Sequence, residues 1–228
     1  MKPTLSFIAI FIFTFAAFAQ KSFRLNDASK NFDVGIEVGL APDDGGSPPA
    51  TYSFYRKGEK KAFQTVSVDG IDMWDAEPKA NTTIGYDEQS VVNFDDFNFD
   101  GVEDVALNDG KGGGYGGPSY QIYLYSRSKK LFVLSEPFTE LNQGDSLGFM
   151  DIDYKKRMIY RRTKDGCCWH QTEGFRVVRD LPQKVYEKTE DVRNEKRPDT
   201  VTITTRRLVN GKWQKSVKYA KASVYYKE

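Results

Sequence analysis

Four oxygen-bearing side chains, Asp96, Asn98, Asp100 and Asp104, stand at the first, third, fifth and ninth places of the stretch Asp96-Phe97-Asn98-Phe99-Asp100-Gly101-Val102-Glu103-Asp104. That donor set suits a hard divalent cation. Calcium takes about six to eight oxygen ligands and favours carboxylates, which offset its charge. Alternate positions of a tightly curled loop point inward together. Gly101 permits the sharp turn that returns Asp104 to the ion, and the backbone carbonyl of Val102 adds an oxygen at the seventh place. Asp95, Glu103 and Asp109 crowd the same stretch as outer charges, whose mutual repulsion would destabilise the fold without the ion. The competing reading is an acidic turn that binds nothing. Such a turn also draws on Asp, Asn and Gly, but it does not require this spacing.

The elements that must position this loop are strands. Leu107 occupies the twelfth place, where an EF-hand needs a bidentate glutamate. The flanks Val91-Val92-Asn93-Phe94 and Val102-Glu103-Asp104-Val105-Ala106-Leu107 are rich in β-branched and apolar residues. The expectation is a calcium loop between two strands, as in repeats of the FG-GAP type. The second strand runs into Gly110-Lys111-Gly112-Gly113-Gly114-Tyr115-Gly116-Gly117-Pro118. This is not a phosphate loop, because no Gly-Lys-Ser/Thr follows and the next element reads as a strand. Two readings stand side by side: a flexible finger with Tyr115 as its aromatic anchor for a partner's cleft, or a surface loop whose glycines serve backbone geometry.

The two cysteines, Cys167 and Cys168, are neighbours. Their Cα atoms lie about 3.8 Å apart across a trans peptide, shorter than usual for a disulfide. A vicinal ring, two buried thiols and pairing with another chain are all open, and an oxidising compartment favours the ring. His170, the single histidine, shares a strand face with Cys168. A cysteine–histidine pair can act as nucleophile and base. Here no orienting Asn or Asp stands nearby, so no catalytic residue is expected and the chain does not read as an enzyme. Zinc is not expected either, since this spacing is unlike known ligand sets. Acidic residues are plentiful, but none stands out as a glycosidase-like carboxylate pair.

An apolar run from Leu5 to Phe18 follows Met1-Lys2-Pro3, and Ala17-Phe18-Ala19 supplies small residues where a signal peptidase reads. The expectation is a signal peptide over 1–19 and a single β domain over 20–228, exported to the periplasm or beyond, with no membrane span after cleavage. With 33 basic and 32 acidic residues the charge is balanced, so no nucleic-acid partner is implied. Thirteen tyrosines and sixteen phenylalanines favour strands. Alternating runs predict strands at Phe32 to Val38, Tyr52 to Tyr55, Phe63 to Val68, Ser119 to Tyr125, Leu131 to Leu134, Leu147 to Asp153, Met158 to Arg161, Asp199 to Arg206 and Ser216 to Tyr219, with a short one near Met73-Trp74. One helical turn is expected between Pro137 and Leu141. The predicted fold is all-β: antiparallel hairpins in a propeller-like or barrel-like domain with one calcium loop.

The order of motifs resembles a known family. A signal peptide and a hairpin ending Phe63-Gln64-Thr65-Val66 precede the Asp96-to-Asp104 loop. Tyr115-Gly116-Gly117-Pro118-Ser119-Tyr120, Tyr123-Leu124-Tyr125 and Gly166-Cys167-Cys168-Trp169-His170 then follow. Together they resemble exported calcium-binding proteins of Gram-negative bacteria, among them a periplasmic immunity protein of a bacteria-killing type IV secretion system. The resemblance implies Ca2+ at Asp96, Asn98, Asp100 and Asp104. It also implies a propeller-like fold akin to lysozyme inhibitors and a lysozyme-like peptidoglycan hydrolase as protein partner. A loop of the inhibitor would plug the hydrolase, and Gly114, Tyr115, Gly116, Ser119 and Tyr120 are the candidates for contact. The alternative is a glycan- or cell-surface-binding β module without inhibitor activity.

Overall fold

A computed structural model describes residues 21–73, 77–82 and 89–226. The signal-like segment and Trp74 lie outside them.

Three antiparallel meanders follow one another along the chain. The first joins β1 (Lys21–Leu25), β2 (Phe32–Val38), β3 (Ala50–Arg56) and β4 (Gln64–Val68). The second joins β5 (Val92–Asp95), β6 (Asp104–Gly110), β7 (Ser119–Ser126) and β8 (Leu131–Leu134). The third has six strands: β9 (Asp151–Asp153), β10 (Met158–Asp165), β11 (Trp169–Val178), β12 (Leu181–Asp191), β13 (Thr200–Val209) and β14 (Lys212–Lys221). In every sheet each strand pairs with its neighbour in sequence, as short hairpin turns dictate. All three sheets are open, so the barrel alternative is not realised among the described residues.

The second sheet is the middle layer. Val105 and Leu107 on one face join Val34, Tyr52, Phe54 and Phe132 in a first apolar cluster shared with the first sheet. Ala106, Tyr120 and Ile122 on the other face join Phe138, Ile159 and Phe175 in a second cluster shared with the third sheet. This explains why β6 is buried along almost its whole length. Its period-two alternation feeds both cores, and each fully buried large apolar side chain contributes about 1.5–3 kcal/mol.

Most of the expected strands are present, with β13 and β14 meeting across Asn210 and Gly211. The helical turn is α1 (Glu136–Thr139), continued by a short 3-10 turn over Glu140–Asn142. Three differences stand out, two of them with a physical cause. Leu147 to Met150 is not a strand. Leu147 N–H donates to the Arg162 carbonyl at 2.8 Å and Met150 N–H to Asn142 Oδ1 at 3.0 Å, so this backbone is satisfied without a ladder. The predicted strand near Met73 is also absent over the described part of it. Conversely, β1 was not expected. Phe23 and Leu25 pack against the first cluster and hold it as an edge.

Candidate functional site

The loop over 96–104 links β5 to β6 and is held by its own side chains. Asp96 Oδ1 accepts from Asp100 N–H at 2.9 Å and its Oδ2 from Gly101 N–H at 2.8 Å. Asn98 Oδ1 accepts from Asp100 N–H at 3.1 Å, and Asp100 Oδ1 accepts from Val102 N–H at 2.8 Å. These short-range bonds curl the chain tightly enough that Phe99 and Gly101 both take left-handed backbone, with φ of 62° and 85°. Phe99 is repaid by burial in the second cluster beside Phe97. Arg157 donates to the Phe99 carbonyl at 2.7 Å and Arg127 to the Asp100 carbonyl at 3.2 Å, so the loop is also clamped from outside.

Asp104 is placed differently from the other three. It is 0% exposed, on the first residue of β6. Its Oδ2 accepts from Phe97 N–H at 3.0 Å and Asn98 N–H at 3.4 Å, and its Oδ1 from Tyr125 N–H at 2.8 Å. Burial pushes its carboxyl up to about 7, against the lowering effect of those three N–H donors; the charge of Asp100 raises it further. No lysine or arginine is ion-paired with it among the described residues. A buried carboxylate without a counter-charge is costly, and a cation would relieve that cost.

The donor set tests well for a hard cation and poorly for a soft one: carboxylate and amide oxygens, with no imidazole or thiolate in the loop. Each carboxylate has about four lone-pair sites, and the N–H bonds use only some of them. Among the described residues no three His, Cys, Asp or Glu side chains converge closely enough to hold a metal as they stand. Of the outer charges, Asp95 accepts from Asp96 N–H at 2.9 Å within the loop, and the other two are engaged elsewhere. Glu103 Oε2 accepts from Ser29 Oγ at 2.8 Å and Asn31 Nδ2 at 2.6 Å, and Asp109 Oδ2 accepts from Gln143 Nε2 at 2.9 Å. Asn98 donates its Nδ2 to Asp180 Oδ1 at 2.9 Å, an acid supplied by the third sheet.

One strand downstream, the glycine loop is pinned rather than free. Gly112 N–H donates to Ser119 Oγ at 3.0 Å, Gly113 N–H to the Gly117 carbonyl at 3.0 Å, and Gly114 N–H to the Ser146 carbonyl at 2.8 Å. Gly144 N–H donates to the Gly112 carbonyl at 2.9 Å. A Cβ on Gly114 would stand 2.8 Å from the Asp145 carbonyl oxygen, so this close approach requires glycine. Tyr115 is 68% exposed and in left-handed backbone, φ 58°. Its hydroxyl accepts from Gly166 N–H at 2.7 Å, and Lys164 Nζ lies 4.8 Å from its ring centroid. Thus the finger is a braced platform.

Of the residues expected to contact a partner, Gly114, Tyr115 and Gly116 lie at or near the surface, whereas Ser119 and Tyr120 do not. Ser119 is buried under the loop, and Tyr120 is wholly buried, its hydroxyl donating to the Ser90 carbonyl at 2.8 Å. As neighbours in β7 they point to opposite faces, and both faces are covered at this end of the middle sheet: Tyr120 enters the second cluster, while Ser119 holds Gly112 N–H from beneath the loop. The brace from Gly166 was not foreseen. Tyr115 and Gly166 are 51 residues apart, and no local signal joins them. Gly166 opens the turn between β10 and β11, where Cys167 and Cys168 are joined to each other by a disulfide. Among the candidates weighed for chemistry, His170 faces Lys164 and Glu190 across the ladders, not a free thiol.

No helix among the described residues is long and apolar enough to cross a membrane. No family model matches the chain, and no curated protein matches it in sequence. A solved structure of a Xanthomonas type IV secretion system related protein shares the fold, with a TM-score of 0.62 and 20% identity over 88% of this chain and 94% of that one.

Proposed function

We propose that this protein is an exported, calcium-binding inhibitor of a peptidoglycan hydrolase, acting as an immunity protein against a lysozyme-like effector. The observation that carries the reading is a pairing of two loops on β6: an all-oxygen loop enters it and a braced aromatic loop leaves it. Support also comes from the order of motifs and from a fold shared with a protein described as related to a type IV secretion system. In this reading Asp96, Asn98, Asp100, Asp104 and the Val102 carbonyl hold the ion. Calcium supplies positive charge among carboxylates that otherwise repel, and it stiffens the entry to β6. Tyr115, with Gly114 and Gly116, meets the hydrolase, and Ser119 and Tyr120 keep that surface in shape. A rigid aromatic anchor loses little conformational entropy on docking, which suits tight inhibition. The protein contributes occlusion rather than catalysis and works in the periplasm.

The test is a lysis assay with purified protein, calcium and a panel of lysozyme-like hydrolases, read alongside complex formation by size exclusion. The expected result is a stoichiometric complex and protection of peptidoglycan with one member, both lost in Tyr115→Ala. A folded, calcium-loaded protein that protects against none of them refutes the reading.

A further inference from the structure

The outer face of the third sheet carries a groove of about 1250 Å³ that the hydrolase reading does not use. Cross-strand register builds it. Tyr160 lies opposite Gly174, Gly174 opposite Tyr186, and Tyr186 opposite Arg207, so one row crosses β10 to β13. Ile159 and Phe175, their sequence neighbours, point the other way into the second apolar cluster. Gly174 is the floor. A Cβ there would meet Met158 Cε, Tyr160 Cε1 and Tyr186 Cβ, each at 3.0 Å, so its absence lets the two tyrosines meet edge to face across the strand at 6.3 Å.

The lining is unbalanced in charge. Lys156, Arg162, Arg176, Lys188 and Arg207 face only Asp151 and Asp153. Both acids are already paired, Asp151 with Arg162 at 2.6 Å and Asp153 with Lys156 at 2.8 Å. Lys188 is paired with Glu190 at 2.9 Å. Arg176 and Arg207 are exposed and have no ion pair among the described residues; Arg207 only leans toward the Tyr186 ring, 5.7 Å from its centroid. Tyrosine, arginine and methionine in one concave patch is the composition of a protein-recognition surface. The apolar rim of Val185, Leu208 and Val209 suits aliphatic side chains better than sugar hydroxyls.

We propose that this groove docks an acidic segment of a protein partner, with Arg176 and Arg207 pairing its carboxylates and Tyr160 and Tyr186 packing its apolar side chains. Planar guanidinium groups take carboxylates in bidentate fashion, which gives the site direction as well as charge. The groove is lined by none of the calcium-loop residues and not by Tyr115, although its Tyr154 packs edge to face on Phe99 of that loop.

The test is fluorescence anisotropy of the full mature chain with a labelled glutamate-rich peptide carrying interspersed leucines. Its glutamine counterpart and an oligogalacturonate are run beside it. Saturable binding of the acidic peptide alone is expected. Arg176→Glu with Arg207→Glu should weaken it about tenfold or more. Lys60→Glu with Lys61→Glu, an equal charge change on exposed residues of the turn between β3 and β4, should leave it within about twofold, the residual long-range effect being screened by salt. Circular dichroism checks that both pairs fold. The proposal is overturned if the acidic peptide does not saturate, or if its glutamine counterpart binds equally. It is also overturned if both variant pairs lose binding alike, or if the oligogalacturonate binds as tightly as the peptide.

Discussion

The hydroxyl of Tyr115 accepts a hydrogen bond from the backbone N–H of Gly166 at 2.7 Å, and this single contact ties the glycine loop to the turn that carries the disulfide. Each glycine loses more backbone freedom on ordering than any other residue, and this contact adds to the bonds of Gly112, Gly113 and Gly114 that pin the loop. Tyr115→Phe keeps the ring and removes the acceptor. The expected loss of stability is small, about 0.5–1.5 kcal/mol, because the freed N–H is near water. Urea denaturation checks the size. In the lysis assay, Tyr115→Phe should retain part of the protection that Tyr115→Ala abolishes.

Asp100 tests the metal assignment. Its side chain is more accessible than that of Asp104, so its removal does not bury an orphaned group. In the parent, calcium at about ten times its Kd should stabilise the fold by about 1.4 kcal/mol. Asp100→Ala should lower the melting temperature in calcium and erase the difference between calcium and chelator. Differential scanning calorimetry with and without chelator decides it: a variant that still responds to calcium like the parent refutes the assignment.

Asp33 predicts the acid limb of stability. On β2 its carboxyl is held below its ordinary value, first by the hydrogen bond from Lys57 at 2.8 Å and then by Arg24 at 3.4 Å, with burial opposing them. A depressed acid stabilises the folded state at pH values above the unfolded pKa of about 4 and loses that contribution as pH falls through the lower folded value. Asp33→Asn should therefore be less stable than the parent at neutral pH, with the gap closing below about pH 4. Both cationic partners are more than a third exposed, so the gap should be about 1 kcal/mol or less. Urea midpoints from neutral to acidic pH measure it; a constant gap across that range would contradict the linkage.

The bond between Cys167 and Cys168 closes no loop beyond its own ring. Chain-entropy stabilisation grows with the loop enclosed, so reduction should cost less than the 2–4 kcal/mol typical of disulfides. Intact mass after alkylation should show no adduct without reductant and two with it. The melting temperature should shift by only a few degrees, since about 1 kcal/mol moves it by that amount in a chain of this size. A large collapse of the melting temperature on reduction would show that the turn braces the third sheet as well as Tyr115.

Hairpins and their turns were legible because their signals are local. Phe32 to Val38 alternates at period two, and Asn210-Gly211 is a strong hairpin turn. The curl of the 96–104 loop was legible for the same reason: Asp96, Asn98 and Asp100 act on N–H groups two to five residues ahead. Leu147 to Met150 misled because apolar side chains that seal a core look alike whether their backbone is paired or not.

By itself the sequence determined the all-β class, the order of hairpins and the donor chemistry of the loop, since all three rest on residue type and spacing along the chain. Tertiary structure alone decided three further things. It turned Asp104 inward to the N–H groups of Phe97, Asn98 and Tyr125, moved Ser119 and Tyr120 from a presumed contact surface into the core, and set Arg207, Tyr186, Gly174 and Tyr160 in one row. Each of these depends on which face of a strand meets which layer, and on pairings between residues far apart in the chain. Burial and cross-strand register follow from the packing of the three sheets, and no local pattern records them.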